Sequence, residues 1–189
     1  MHSFAIRAKT RPKNPKTLDF SFEDDGIPDE LNLHDVVTAK RRHIVCFTNK
    51  QARLLKNAKR WYMDGTFSII KKPFMQMSTI HAFIRYGNEK KMVPLCFVLM
   101  SSRTQKDYIR VLKHIKTVIL GNSYAMKECV VDFEKSVWLA IEKEFGIDVK
   151  IFGCGFHWTQ CIFRRIKSLG LIRAYRTDMR IRGICKCIY

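Results

Sequence analysis

The sequence predicts an α/β fold in which helices cover a mixed β-sheet. Two observations support this prediction. In the first half of the chain, three strand-like segments follow one another with short turns between them, which is typical of an antiparallel meander. In the second half, helical and strand-like segments alternate, as they do where helices connect neighbouring strands.

The first half contains the predicted meander. A Lys71-Lys72-Pro73 turn and a Gly87-Asn88 turn separate its strands. The predicted elements are, in order, a strand at 43–47, a helix at 49–59 and strands at 61–70, 74–85 and 92–101.

The second half is predicted to contain three helices and two short strands. Its predicted elements are a helix at 104–120, a strand at 128–133, a helix at 134–145, a strand at 149–153 and a helix at 158–169. In the last helix, the side chains predicted to face the core are Trp158, Cys161, Ile162, Ile166 and Leu169. This order of elements fits a ribonuclease H-like fold, and it also fits other α/β folds.

The two ends of the chain differ from this body. Residues 1–39 are predicted to form a flexible charged arm, because a basic stretch is followed by an acidic one with few apolar residues. We predict a folded domain at 40–176 and an irregular basic tail at 177–189.

The charge of the chain indicates a polyanionic partner. Lysine and arginine number 35 against 17 acidic residues, a formal net charge of +18, and 47% of the residues are hydrophobic, which is enough for a core. DNA, RNA and an anionic membrane surface fit such a charge, and a basic scaffold with no nucleic-acid role is the alternative. The longest apolar run, Met92 to Met100, is interrupted by Pro94 and predicts no membrane span. Seven cysteines without a C-x-x-C pair indicate reduced thiols in the cytosol or nucleus.

Basic residues cluster at two places in the predicted fold. The predicted DNA-binding residues are Lys71 and Lys72 at a turn and Arg164, Arg165 and Lys167 on the last helix. Such groups bind backbone phosphates, although a solvated basic face has the same composition.

Two aspartates are candidate metal ligands. Asp64 lies in an apolar strand, where a carboxylate is costly unless it is paired, but Asp-Gly is also a favoured hairpin turn. Asp132 ends a strand before a helix, which is a common active-site position, but aspartate is also a favoured N-cap. Two such carboxylates on neighbouring strands could hold the Mg²⁺ ions of a phosphoryl-transfer site.

Cys154 and His157 form a C-x-x-H pair where a strand meets a helix. This pair could be half of a zinc site, with Cys185 and Cys187 as the candidate second pair. We consider zinc unlikely, because a buried thiol beside a hydrogen-bonded histidine also explains the pattern.

Several separate motifs occur in the order found in one family. They are WYMDGTF at 61–67, QMSTIH at 76–81, VPL at 93–95, LMS at 99–101, Tyr108, DFE at 132–134, GCGFHWTQ at 153–160 and Tyr175. With them, residues 41–175 resemble the transposase domain of Mutator-like elements (MULE). The resemblance implies a ribonuclease H-like nuclease with a D-D-E site that binds Mg²⁺ or Mn²⁺. In that site Asp64 and Asp132 are the first two acids, and Cys154 and His157 form a supporting motif.

The resemblance also implies a third acid that this sequence does not match. After His157 the acidic residue is Asp178, which is not in a family-like context. We therefore expect a transposase fragment with little or no activity. Its expected location is the nucleus, its expected partners are transposon ends and target DNA, and a homo-oligomer is possible. The alternative is a domesticated, non-catalytic DNA-binding or regulatory protein derived from a transposase.

Overall fold

The computed structural model describes residues 15–22 and 27–186, the last two of these by their backbone alone. The strands within these residues are β1 (Leu31–Thr38), β2 (Arg41–Thr48), β3 (Arg60–Thr66), β4 (Gln76–Tyr86), β5 (Glu89–Met100), β6 (Glu128–Val131) and β7 (Lys150–Gly153). The helices are α1 (Asn49–Asn57), α2 (Gln105–His114), α3 (Lys135–Phe145), α4 (Gly155–Ser168), α5 (Ile172–Thr177) and α6 (Met179–Lys186). None of the helices in the described part is both long and apolar enough to cross a membrane.

The strands form one mixed sheet in the order β1-β2-β5-β4-β3-β6-β7. The first five strands in this order, β1-β2-β5-β4-β3, pair with one another in antiparallel fashion. In contrast, β3 pairs with β6, and β6 with β7, in parallel. The predicted meander and the predicted α/β class are therefore confirmed.

One face of the sheet is packed against helices. Trp61 and Met63 of β3 point to this face and are buried, and Trp61 packs edge-to-face on Phe145 of α3. Val137 and Ile141 of α3 join the same core, as their spacing predicts. The opposite face is less covered among the described residues: Tyr62 packs on Phe83, which remains 47% exposed. The prediction of a helix-covered sheet therefore holds for one face.

The ends of the chain differ from their predicted states. Leu31–Thr38, placed in the flexible arm by the sequence, instead pairs with β2 along its whole length. Met179–Lys186, predicted as irregular, is helical. Residues 15–22 of the predicted arm also contact the body, since the carbonyl of Leu18 accepts a hydrogen bond from Arg42 and Phe20 packs on Phe74. Residues 1–14 and 23–26, and the end of the tail at 187–189, lie outside the described residues.

Three predicted elements have different limits or environments. The strand predicted to reach residue 70 ends at Thr66, because the chain then turns, with the N–H of Ile70 donating to the carbonyl of Phe67. The helix predicted to reach residue 120 changes at Ile115 into a π-helical turn that ends at Ile119. In α4 and at its C-cap, Ile166 is buried as predicted, but Trp158 and Leu169 are 38% and 53% exposed, and Cys161 is exposed as well.

Candidate functional site

Asp64 lies inside β3, where it pairs with Thr79 of β4. Because neighbouring strand residues alternate in direction, its side chain projects from the face opposite Trp61 and Met63. The carboxylate is 48% exposed, and its Oδ1 accepts a hydrogen bond of 2.7 Å from the N–H of Gly65. Gly65 continues the strand pairing, so the interpretation of this Asp-Gly pair as a hairpin turn is wrong.

Asp132 follows β6 and stands beside Asp64. Tyr62 of β3 and Val130 of β6 are partners in parallel register. Asp64 and Asp132 each follow two residues later, so they lie side by side at the same level of the sheet. The N-cap of α3 is Glu134, so the interpretation of Asp132 as the N-cap is wrong. Its Oδ1 instead accepts a hydrogen bond of 3.2 Å from the N–H of Glu134 and closes the turn before the helix.

Both aspartates line one open cavity of about 750 Å³. Glu134 and His157 belong to the same wall. The rest of the wall comes from the segments after β3, β5 and β6 and from α4: Gly65, Thr66, Phe67, Ser68, Arg103, Phe133, Gln160, Cys161 and Arg164. Residues at the ends of β3, β5 and β6 and residues of α4 therefore line one cleft, which contains both acidic and basic side chains.

Glu134 is a site residue that the sequence analysis did not select. The hydroxyl of Tyr108 donates a hydrogen bond of 3.2 Å to its Oε2, and Gln76 Nε2 donates one of 2.5 Å to that hydroxyl. Tyr108 and Gln76 are 3% and 0% exposed, so a buried network holds the carboxylate from beneath. Burial, and then the charge of Asp132, raises the pKa of Glu134. The sequence places Glu134 only two residues after Asp132, which could have marked it as a site residue. Its hydrogen bond with Tyr108, in contrast, forms only in the folded chain.

The C-x-x-H pair lies where β7 meets α4, at the junction that the sequence predicts, with His157 in the first turn of the helix. Cys154 is the N-cap residue of α4, and its N–H donates a 2.7 Å hydrogen bond to the carbonyl of Val131, which ties this junction to β6. His157 Nε2 lies 3.5 Å from Asp64 Oδ1. His157 lines the cavity and Cys154 does not, so the two residues have separate roles in the structure.

The predicted DNA-binding residues occupy different surfaces. Arg164 lines the carboxylate cavity. Lys71 and Lys72 line a second cavity, of about 410 Å³, beside the loop that follows β3. Arg165 and Lys167 are exposed on α4 and are not part of the carboxylate cavity wall.

Arg103 is a cavity residue that the sequence analysis missed. Its guanidinium carbon lies 4.9 Å from the centre of the Phe67 ring. No local pattern marks this arginine, because it reaches the cavity only when the segments after β3 and β5 come together.

The carboxylates provide the oxygen ligands that Mg²⁺ and Mn²⁺ prefer. Mg²⁺ is commonly bound by one or two carboxylates together with water and substrate phosphates, so Asp64 and Asp132 fit this ion. Within 15–22 and 27–186, no three His, Cys, Asp or Glu side chains stand together so that they could hold a metal. The expectation that Cys154 and His157 do not hold zinc stays a prediction. The candidate partner Cys187, and the side chain of Cys185, lie outside the described structure.

Comparison with known families shows which family this segment is similar to. The family model described as the MULE transposase domain matches residues 60–161, slightly more than half of the chain. The matched segment runs from β3 into α4 and includes Asp64, Asp132, Cys154 and His157. A comparison with curated proteins gives no match.

Proposed function

The chain belongs to the MULE transposase domain family, and from this premise we propose that it is a nuclear DNA-processing domain with a site for metal-dependent phosphodiester hydrolysis and strand transfer. We further propose that its fold is ribonuclease H-like. The order β5-β4-β3-β6-β7, with an antiparallel meander followed by two parallel strands, supports this fold.

The observation that carries the proposal is the position of the two aspartates. Asp64 and Asp132 are far apart in the chain, but they reach the same end of two adjacent parallel strands and line one cavity. A carboxylate pair at the carboxyl ends of sheet strands is a common arrangement for binding and catalysis in α/β proteins.

The described residues suggest a role for each part of the cavity. Asp64 and Asp132 would hold Mg²⁺, which stabilises the attacking and leaving oxygens of a phosphodiester when it is bound. His157, at 3.5 Å from Asp64, orients that carboxylate. Phe133 is 50% exposed on the wall and offers part of its ring to unpaired bases.

A plasmid-nicking assay tests the catalytic part of the proposal. We expect slow nicking of supercoiled DNA in Mg²⁺ or Mn²⁺, because two carboxylates hold a metal less firmly than three. Asp64→Asn and Asp132→Asn should each abolish the activity, whereas Asp148→Asn, an exposed control, should retain it. Nicking that survives in both site variants would contradict the proposed site.

Non-catalytic DNA binding is the second candidate. It is favoured by the exposed basic residues Arg165 and Lys167 of α4, which can bind backbone phosphates whether or not the carboxylates hold a metal. Salt-dependent DNA binding by a chain that nicks DNA in neither metal would establish this second function in place of the first.

A further inference from the structure

Two arginines of the carboxylate cavity form no close ion pair among the described residues, although the charge of Arg103 acts on Glu134 in the same wall. A carboxylate oxygen lies within 3.7 Å of a guanidinium nitrogen in Arg41, Arg42, Arg60, Arg110 and Arg180. Among the described residues, neither Arg103 nor Arg164 forms such an ion pair. Both nevertheless line the wall that contains Asp64 and Asp132.

Arg103 is held by an aromatic ring. Its guanidinium carbon is 4.9 Å from the centre of the Phe67 ring. The face of a ring attracts a cation but does not cancel its charge, so the N–H donors remain able to bind an anion. Phe67 follows β3 directly, and the contact therefore fixes the cation at the end of the sheet that carries Asp64.

Arg164 reaches the same cavity from α4. Its Nη2 donates a hydrogen bond of 3.1 Å to Gln160 Oε1, one turn earlier on the helix. Gln160 also lines the cavity, and this bond leaves other guanidinium N–H groups free for a ligand. Two cations from unconnected segments are thus oriented by neutral partners on one wall.

We propose that Arg103 and Arg164 form a phosphate clamp that holds a backbone phosphate of a nucleic-acid strand in the carboxylate cavity. This inference rests on the proposed function and adds the residues that position the substrate. A guanidinium group presents paired N–H donors that match two phosphate oxygens. A strand fits better than a small phosphate compound, because exposed Arg165 and Lys167 extend the positive surface along α4 beyond the cavity.

DNA binding by clamp variants tests this assignment. The affinity for a short labelled duplex is measured by fluorescence anisotropy between about 50 and about 200 mM salt, without divalent metal. We expect Arg103→Ala and Arg164→Ala each to weaken binding about tenfold and to lower the slope of log affinity against log salt by about one. Arg103→Lys should give an intermediate loss, because it keeps the charge but not the planar group. The melting temperature of each variant is recorded to show that it is folded.

Arg85→Ala is the matched control. Arg85 pairs with Lys90 near the far end of the β4–β5 hairpin. It lies about 20 Å along β4 from Thr79, the strand partner of Asp64. This control should lose less than about twofold in affinity, because only long-range attraction changes. Clamp variants that behave like Arg85→Ala would overturn the clamp while leaving the proposed DNA function in place.

Chemical protection separates failure of the clamp from failure of the proposed function. Phenylglyoxal modification of each arginine is measured by peptide mass spectrometry with and without pyrophosphate. We expect pyrophosphate to protect Arg103 and Arg164 but not Arg85. If the wild-type chain does not bind DNA but this protection occurs, an anion site remains and the strand as its occupant is wrong. If protection is also lacking, the clamp itself is wrong.

Discussion

Replacing Tyr108 by phenylalanine tests whether the buried network beneath the cavity stabilises the protein. The substitution removes one hydroxyl, which accepts a hydrogen bond from Gln76 and donates one to Glu134. Burial raises the pKa of Tyr108, so the phenol remains protonated and able to donate at neutral pH. In the variant, the fully buried Gln76 amide keeps only a weak contact, 3.3 Å from Met100 Sδ.

The expected loss follows from these two bonds. A buried polar group left without a good partner costs about 1–3 kcal/mol, so we expect Tyr108→Phe to lower the free energy of unfolding by about 2 kcal/mol. For a domain of this size, that loss corresponds to a decrease of about 4–8 °C in melting temperature. Urea unfolding followed by tryptophan fluorescence measures the free energy of unfolding, and a thermal scan measures the melting temperature.

Tyr124→Phe provides the control for this substitution. The ring of Tyr124 packs on Phe145 with centres 5.3 Å apart, and its hydroxyl has no hydrogen bond among the described residues. Removing that hydroxyl should change the free energy of unfolding by less than about 0.5 kcal/mol. Equal stability of the two variants would refute the reasoning, since it would mean that the Tyr108 hydroxyl contributes nothing.

Two further predictions concern acid stability and thiol reactivity. Burial opposes ionisation of Asp107, but hydrogen bonds, including those from Thr104 and Arg41, outweigh it and hold its pKa well below the usual range. Its stabilising effect is therefore complete above about pH 5 and is lost progressively as the pH falls from about 4 towards the depressed pKa, so Asp107→Asn should flatten acid unfolding relative to an Asp148→Asn control. Burial raises the pKa of Cys46 to about 11 and that of Cys96 and Cys129 to about 12. In the native protein, mass spectrometry after iodoacetamide treatment should find these three unmodified and exposed Cys161 alkylated, and rapid alkylation of Cys129 would contradict the buried core.

The parts of the fold that were predicted correctly are those encoded by local periodicity. The helix predicted at 134–145 is α3, and Val137 and Ile141 on its apolar face are buried. The apolar strand predicted at 61–70 included Asp64, and the structure has Asp64 within β3. Local sequence carries this information because the direction of a side chain depends on its position in the repeat.

The features that were missed depend on residues distant in the chain. The apolar residues on one side of α4 predict that this side packs against the core, but they do not show which element covers it. Among the described residues, Trp158 and Leu169 remain partly exposed. Glu134 becomes a cavity residue through Tyr108, which lies on a different helix. Arg103 follows β5 and contacts the ring of Phe67, which follows β3, so its place in the cavity depends on two separate strands. These relations arise only after folding.

Manganese binding tests the central claim that Asp64 and Asp132 form one metal site. The free Mn²⁺ signal in electron paramagnetic resonance is measured during titration with the wild-type chain and with Asp64→Asn, Asp132→Asn and Asp148→Asn. We expect each site variant to weaken binding by about tenfold or more, because a carboxylate ligand is lost, and the exposed control to bind like the wild type. Unchanged Mn²⁺ affinity in both site variants would contradict the account.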